Sequence, residues 1–402
     1  MNTALRHYFT ITGGYWAFTL TDGAIRMLVV LYFHQLGYSP FEVASLFLFY
    51  EFFGMITNLV GGYLASRLGL NVTMHIGMVM QIIALAMLTV PDTWLTVAYV
   101  MTAQALSGIA KDLNKMSAKT SVKTLISEGA DARLFKWVAI LTGSKNALKG
   151  AGFFLGAALL QWLGFRGALL ALASGLLITL VITFLLLPND LGKAQAKPKF
   201  TQVFSQTAAI NWLSAARFFL FGARDVWFVV ALPVFLHSVL NWSVTEVGSF
   251  MALWVIGYGV IQASAPQLLK RGDKAPQGTT ARNWAALLCS VPATMAVLLI
   301  LGYAPSIIVI IGLAVFGALF AINSAIHSYL ILAYASGDKV AMNVGFYYMA
   351  NAGGRLIGTL LSGWGYQRFG LTGCLWISAI FIGITVILSL SLPTNRQMAR
   401  TV

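Results

Sequence analysis

The chain is a succession of long apolar runs, each about the length of a membrane-crossing helix, with turn residues between them. A helix needs about 20 mostly apolar residues to cross the hydrocarbon core of a bilayer. The runs predict helices over 9–34, 42–66, 72–90, 94–118, 132–162, 166–187, 207–237, 245–268, 283–303, 306–334, 339–365 and 371–392. The breaks carry turn chemistry, as at Gly37–Pro40, Gly69–Asn71, Pro91–Asp92, Gly164–Gly167, Pro188–Asn189, Gly302–Pro305 and Gly370–Gly373. Only 9% of residues are charged and 58% are hydrophobic, against about 25% charged in a soluble domain. A soluble globule needs a polar skin that this composition cannot supply, and a bilayer removes the need. The chain therefore reads as an all-α polytopic membrane protein with twelve transmembrane helices. A dozen helices and short loops use up the 402 residues, which leaves no room for a catalytic domain. Neither enzyme activity nor a cofactor is expected.

The net charge of +14 is not a nucleic-acid footprint, because Lys and Arg form no aromatic-interleaved soluble patch. The two cysteines, Cys289 and Cys374, lie in apolar runs and imply neither a disulfide framework nor a metal site. The first apolar run is too long for a cleaved signal peptide and continues into a polytopic pattern. Basic residues in the loops alternate by side: 16 on one, including Arg67, Lys119 and Lys123, and only Arg166 and Arg368 on the other. The positive-inside rule then places both termini in the cytoplasm. The most polar stretch, 188–206, divides the chain into a bundle over 1–187, a cytoplasmic loop and a second bundle over 207–402.

The halves look like copies. YSPFEV at 38–43 resembles WSVTEV at 242–247, and with the same offset Arg67 falls on Arg271. FLGAALLQWLGFRG at 154–167 resembles RLIGTLLSGWGYQRFG at 355–370. Two pseudo-symmetric six-helix bundles joined by a charged loop resemble the major facilitator superfamily fold. GGYLASRLGLN at 61–71 resembles that superfamily's Gly-x-x-x-Asp-Arg-x-Gly-Arg gating motif, with Gly62, Arg67 and Gly69 in place. Ser66 stands where an acid is usual and Leu70 where a base is usual.

Eight bases remain inside predicted helices: Arg26, Lys111, Lys115, Lys145, Lys149, Arg217, Arg224 and Arg355. Each costs about 2.5–3.5 kcal/mol at mid-helix, so they should face a cavity or a partner rather than lipid. In the superfamily fold all eight fall on cavity-lining or flanking helices. Asp22, Glu51, Asp112 and Asp225 are the comparably placed acids, so the interior is basic and concentrates anions. Arg26 and Arg224 lie at comparable depths on the first and seventh helices, and a guanidinium from each half suits a tetrahedral oxyanion. Lys111, Lys115, Lys145, Lys149 and Arg355 are further substrate-binding candidates, while Arg217 reads as an anchor that snorkels to the inner face. Asp22 lies one turn from Arg26, close enough to pair, whereas Arg224 and Asp225 are neighbours whose side chains should point apart. Asp22, Glu51 and Asp225 could carry a coupling proton. The more economical reading makes them counter-ions of nearby bases. His327 with Asn323 and Ser324 reads as a hydrogen-bonded polar turn.

Two stretches, GGYWAFTLTDGAIRMLVVLYFHQLGYSPFEVASLFLFYEFFGMITNLVGGYLASRLGLN at 13–71 and KDLNKMSAKTSVKTLI at 111–126, resemble the ArsJ family of organoarsenical efflux permeases. That resemblance implies a bacterial inner-membrane exporter of 1-arseno-3-phosphoglycerate. It also implies a functional link to glyceraldehyde-3-phosphate dehydrogenase, which makes that product from arsenate, and hence arsenate resistance. An organophosphate/phosphate exchanger is the alternative. A drug/proton antiporter is less consistent with eight interior bases.

Overall fold

The computed structural model of the chain describes residues 3–37, 46–125, 131–188, 207–269, 275–335 and 339–393. These form α1 (Thr3–Gln35), α2 (Leu48–Leu68), α3 (Leu70–Met87), α4 (Val97–Leu125) and α5 (Asp131–Leu186). After the central segment come α6 (Ala208–Phe228), α7 (Ala231–Ser238), α8 (Val244–Leu269), α9 (Gly278–Ile300), α10 (Pro305–Tyr334) and α11 (Val340–Leu388). Two short 3-10 turns, Asp92–Trp94 and Ser389–Ser391, complete the described elements, which include no strand. The repeat segment 38–43, the central loop from 189 to 206, Arg271 and the Lys123 side chain lie outside the described residues.

Among the described residues, eight helical stretches are long and apolar enough to cross a membrane. Two of them, of 55 and 52 residues, greatly exceed the roughly 20 residues of one crossing. Each breaks at a glycine with positive φ: Gly164 at 67° and Gly370 at 63°. The long helices outside that apolar set are α2, with Glu51, Asn58 and Arg67, and α4, with Lys111, Asp112, Lys115 and Lys119. Their polarity belongs to the site described below.

Local chemistry explains where the boundaries depart from the sequence pattern. The expected helix over 207–237 is broken after Phe228, and the backbone N–H groups of Val230 and Ala231 both donate to Ser362 Oγ, at 3.2 and 3.1 Å. Helix α9 starts earlier than its apolar pattern because Gln277 and Thr280 form a capping box. Between α2 and α3 the connection is Gly69 alone, with φ 98° and ψ 154°, a conformation essentially closed to residues with a Cβ. Gly69→Ala is expected to cost about 1–3 kcal/mol, read as a lowered thermal midpoint of the purified protein.

Two compact units are formed. The first comprises Met1–Ala130, Ser144–Ser205 and Ser336–Met349, and the second Asp131–Gly143, Gln206–Ala335 and Ala350–Val402. Helices α5 and α11 thus contribute a segment to each. Leu28, Val29 and Phe33 of α1 pack with Leu85, Leu88 and Phe165 in the first core. In the second, Trp227 of α6 stands edge-on to Trp254 and Phe316, with centroids 5.7 and 5.0 Å away. Outward positions are apolar too: Leu185, Ile300 and Ile387 are 76%, 65% and 65% exposed, as a lipid-facing surface requires.

One crossing occurs in both units. In the first, Gly23 of α1 meets Gly152 of α5 so closely that a Cβ on Gly152 would lie 3.1 Å from the Gly23 Cα, and Ala24 meets Gly156, where a Cβ would lie 3.0 Å from the Ala24 Cα. In the second, Gly222 of α6 meets Gly354 and Gly358 of α11, and a Cβ on Gly358 would lie 3.0 Å from the Gly222 Cα. Glycines four apart let helix backbones approach in this way, and Gly156 and Gly358 are equivalent in the internal repeat.

Candidate functional site

In the first unit the crossing of α1 with α5 sets Asp22 beside Lys149, with the Nζ 3.5 Å from Oδ2. Tyr50 of α2 donates its hydroxyl to the other oxygen, Oδ1, at 2.5 Å. One turn on, Arg26 pairs with Glu51 rather than with Asp22: its Nη2 lies 3.3 Å from Glu51 Oε1. Two elements of a packed bundle can bring these groups closer than the turn of one helix does, so the i, i+4 pair is not formed. Lys111 of α4 lies 4.0 Å from Glu51 Oε2 and 3.5 Å from Asp112 Oδ2. Lys115 donates to Asp112 Oδ1. Gly54 makes this possible, because a Cβ there would meet Asp112 Oδ2 at 2.5 Å. Aromatic faces complete the cluster, with Lys111 Nζ 3.9 Å and the Arg26 guanidinium carbon 4.7 Å from the Tyr50 centroid. Lys145 is half-buried one turn before Lys149.

In the second unit Asp225 is 1% exposed and holds two arginines. Arg224 Nε donates to Oδ1 at 2.6 Å and Arg355 Nε donates to Oδ2 at 3.0 Å. The expectation that adjacent Arg224 and Asp225 point apart is thus incorrect. Their Cβ atoms diverge, but the arginine side chain is long enough to arc back over its neighbour. The guanidinium also lies 5.2, 5.8 and 5.7 Å from the rings of Phe221, Phe228 and Phe320. Arg355 reaches Asp225 because it sits between the crossing glycines Gly354 and Gly358.

Arg217 does not snorkel. It is 2% exposed, donates from Nε to Asn351 Oδ1 at 2.9 Å and from Nη1 to the Ser324 carbonyl and hydroxyl at 3.3 and 3.2 Å. Its spacing of seven from Arg224 puts both on one helix face, a signal available in the sequence. His327 and Asn323, expected to be hydrogen-bonded, are fully buried with their side-chain polar atoms unpartnered among the described residues. Lys119 is also buried, at 6% exposure, with its Nζ 5.0 Å from the Tyr348 centroid. That ring replaces the water a loop anchor would have reached. Tyr50, which joins Asp22 to Arg26 and Lys111, has no sequence signal beyond its place beside Glu51.

Of the gating-motif residues, Gly62 packs against α11, where a Cβ would lie 3.1 Å from Gly345 Cα. Arg67 is exposed and lies 5.4 Å from the Tyr63 centroid. Ser66 donates to the Tyr63 carbonyl at 2.7 Å. No group of His, Cys, Asp and Glu able to hold a metal occurs among the described residues.

Among the described residues, six interior bases with three acids in the first unit, and three with one in the second, leave excesses of three and two positive charges. Helical spans with charged groups inside and an apolar exterior are those of a polytopic membrane protein. The sequence model of the Major Facilitator Superfamily matches residues 11–326. The chain belongs to that superfamily. No curated protein matches its sequence. Among solved Major Facilitator Superfamily structures, the Escherichia coli fucose:proton symporter is similar at 10% identity, with a TM-score of 0.75 over 98% of this chain and all of the symporter. The human organic anion transporter MFSD10 is similar at 17% identity and a TM-score of 0.76, covering 97% of this chain and 100% of its own. A bacterial homologue of the iron transporter ferroportin is similar at 15% identity and 0.73, over 95% and 98%. At such identities the likeness carries the fold alone. This Major Facilitator Superfamily member is thus a multi-pass membrane protein of a class that moves small solutes.

Proposed function

We propose that the chain exports an organic polyanion, and that this substrate is 1-arseno-3-phosphoglycerate. The observation that carries the reading is the excess of interior positive charge in each unit among the described residues, three in one, held by Arg26, Lys111, Lys115, Lys119, Lys145 and Lys149, and two in the other, held by Arg217, Arg224 and Arg355. Arginine keeps its charge at any physiological pH, so a solute with two anionic ends matches these clusters in charge. The resemblance of 13–71 and 111–126 to the ArsJ permeases supports the arsenical among such solutes. In this reading, splitting the two glycine-broken stretches and joining α6 to α7 as one gives twelve crossings in two six-helix bundles. Both termini lie on the cytoplasmic side of a bacterial inner membrane, as the distribution of loop bases supports. Asp22, Glu51 and Asp225 serve as counter-ions, and the Gly62–Gly69 turn as part of the gate.

The test is uptake into everted vesicles of product made in situ by glyceraldehyde-3-phosphate dehydrogenase from arsenate and glyceraldehyde 3-phosphate. Arsenic is expected to accumulate only when the dehydrogenase is active. Accumulation without it would redirect the assignment to inorganic arsenate. Labelled phosphate exchanging for an organophosphate, with no arsenic uptake, would select the exchanger instead.

A further inference from the structure

Asp225 is placed as an oxyanion would be. Each of its carboxylate oxygens takes one guanidinium, Oδ1 from Arg224 and Oδ2 from Arg355, and the carboxylate is itself 1% exposed. The two arginine side chains are more open, at 15% and 30% exposure. The buried acid is therefore fixed while the bases that grip it have solvent-facing sides. It is fixed by packing as well as by charge, because Gly358 is close enough that a Cβ there would lie 3.0 Å from the Asp225 Cβ.

We infer that Asp225 is a built-in competing anion: it holds Arg224 and Arg355 when no substrate is bound, yields them to the substrate's oxyanion, and reclaims them on release. The inference rests on the polyanion reading and adds a specificity-determining residue to it. Two arginines with no internal acid would bind a phosphate-like group tightly and release it slowly, and affinity among related complexes is set mainly by the off-rate. A transporter that must let go at the far side gains turnover from an acid waiting at the same bases. The exchange also sets the substrate class. A simple carboxylate replacing the Asp225 carboxylate swaps one interaction for an equal one and must still meet the entropy of association. A phosphate-like dianion brings a second charge and more acceptor oxygens to the same guanidiniums. Phosphate-like dianions are therefore taken and small monocarboxylates refused.

The experiment measures binding of 3-phosphoglycerate and of glycerate to the purified full-length protein by calorimetry, with initial transport rates in proteoliposomes. The wild type should bind 3-phosphoglycerate and show no detectable binding of glycerate. Asp225→Asn should bind 3-phosphoglycerate at least about 10-fold more tightly, the scale of one hydrogen bond between charged groups. It should also admit glycerate and transport with a lower maximal rate. Because two bases without their acid could impair folding, a charge-balanced comparison is included: Asp225→Asn/Arg355→Gln against Arg355→Gln alone. The double variant should bind the more tightly, since only there is Arg224 relieved of its competitor. Equal or weaker binding in the neutralised member of either comparison overturns the inference. Absence of 3-phosphoglycerate binding by the wild type would instead overturn the polyanion reading beneath it.

Discussion

Arg26→Ala and Arg224→Ala are each expected to lower polyanion transport in everted vesicles by at least about 30-fold, because removing one partner of a buried, hydrogen-bonded charge pair costs about 2–5 kcal/mol. Each variant should still accumulate in the membrane, since each acid keeps another base. Glu51 retains Lys111 at 4.0 Å, and Asp225 retains Arg355 at 3.0 Å. Lysine at either position should give an intermediate rate, because it restores the charge without the two-pronged donor geometry. The measurement is the initial uptake rate normalised to transporter content. Undiminished transport in both alanine variants would remove the two arginines from the substrate path.

Gly354→Val should have the largest effect on the fold. A Cβ at this position meets the Phe218 carbonyl and backbone, so no side-chain rotation relieves it. The α6–α11 crossing must open, and Arg355, the next residue, is drawn away from Asp225. Overpacking of this kind costs about 1–3 kcal/mol and more where backbone is the obstacle. The expected outcome is a lower thermal midpoint and a smaller monodisperse fraction in detergent, with transport lost beyond the loss of protein. Gly383→Val on the same helix is the control, because no heavy atom lies within 4 Å of a Cβ there. Equal behaviour of the two variants would show that the crossing does not organise the charge cluster.

The helical class, the membrane setting and the charged residues that lie inside the apolar runs were readable without coordinates. A charge in an apolar run of 20 or more residues is costly enough to announce itself, which is why Arg26, Lys111, Arg224, Asp225 and Arg355 stand out. The pairing of those charges was not readable. Spacing along one helix suggests Asp22 with Arg26, yet the closest groups come from neighbouring helices, and Arg26 meets Glu51 while Asp22 meets Lys149. Arg217 and Lys119 show the same limit. The sequence places both toward the inner face, where an anchor would reach water, but Arg217 lies in the middle of α6 under Asn351 and Ser324, and Tyr348 lies over Lys119.

By itself, then, the sequence determined that this chain spans a membrane as helices and carries an excess of interior positive charge, because hydropathy and formal charge are properties of residues taken singly. The repeat and the glycines four apart were also written in it. Only the tertiary structure decided that the glycines at 23, 152, 222 and 354 bring backbones together, and that one aspartate is shared between two arginines. Those facts depend on which helices touch and at what depth, and contact between residues 130 apart leaves no local trace in the order of the chain.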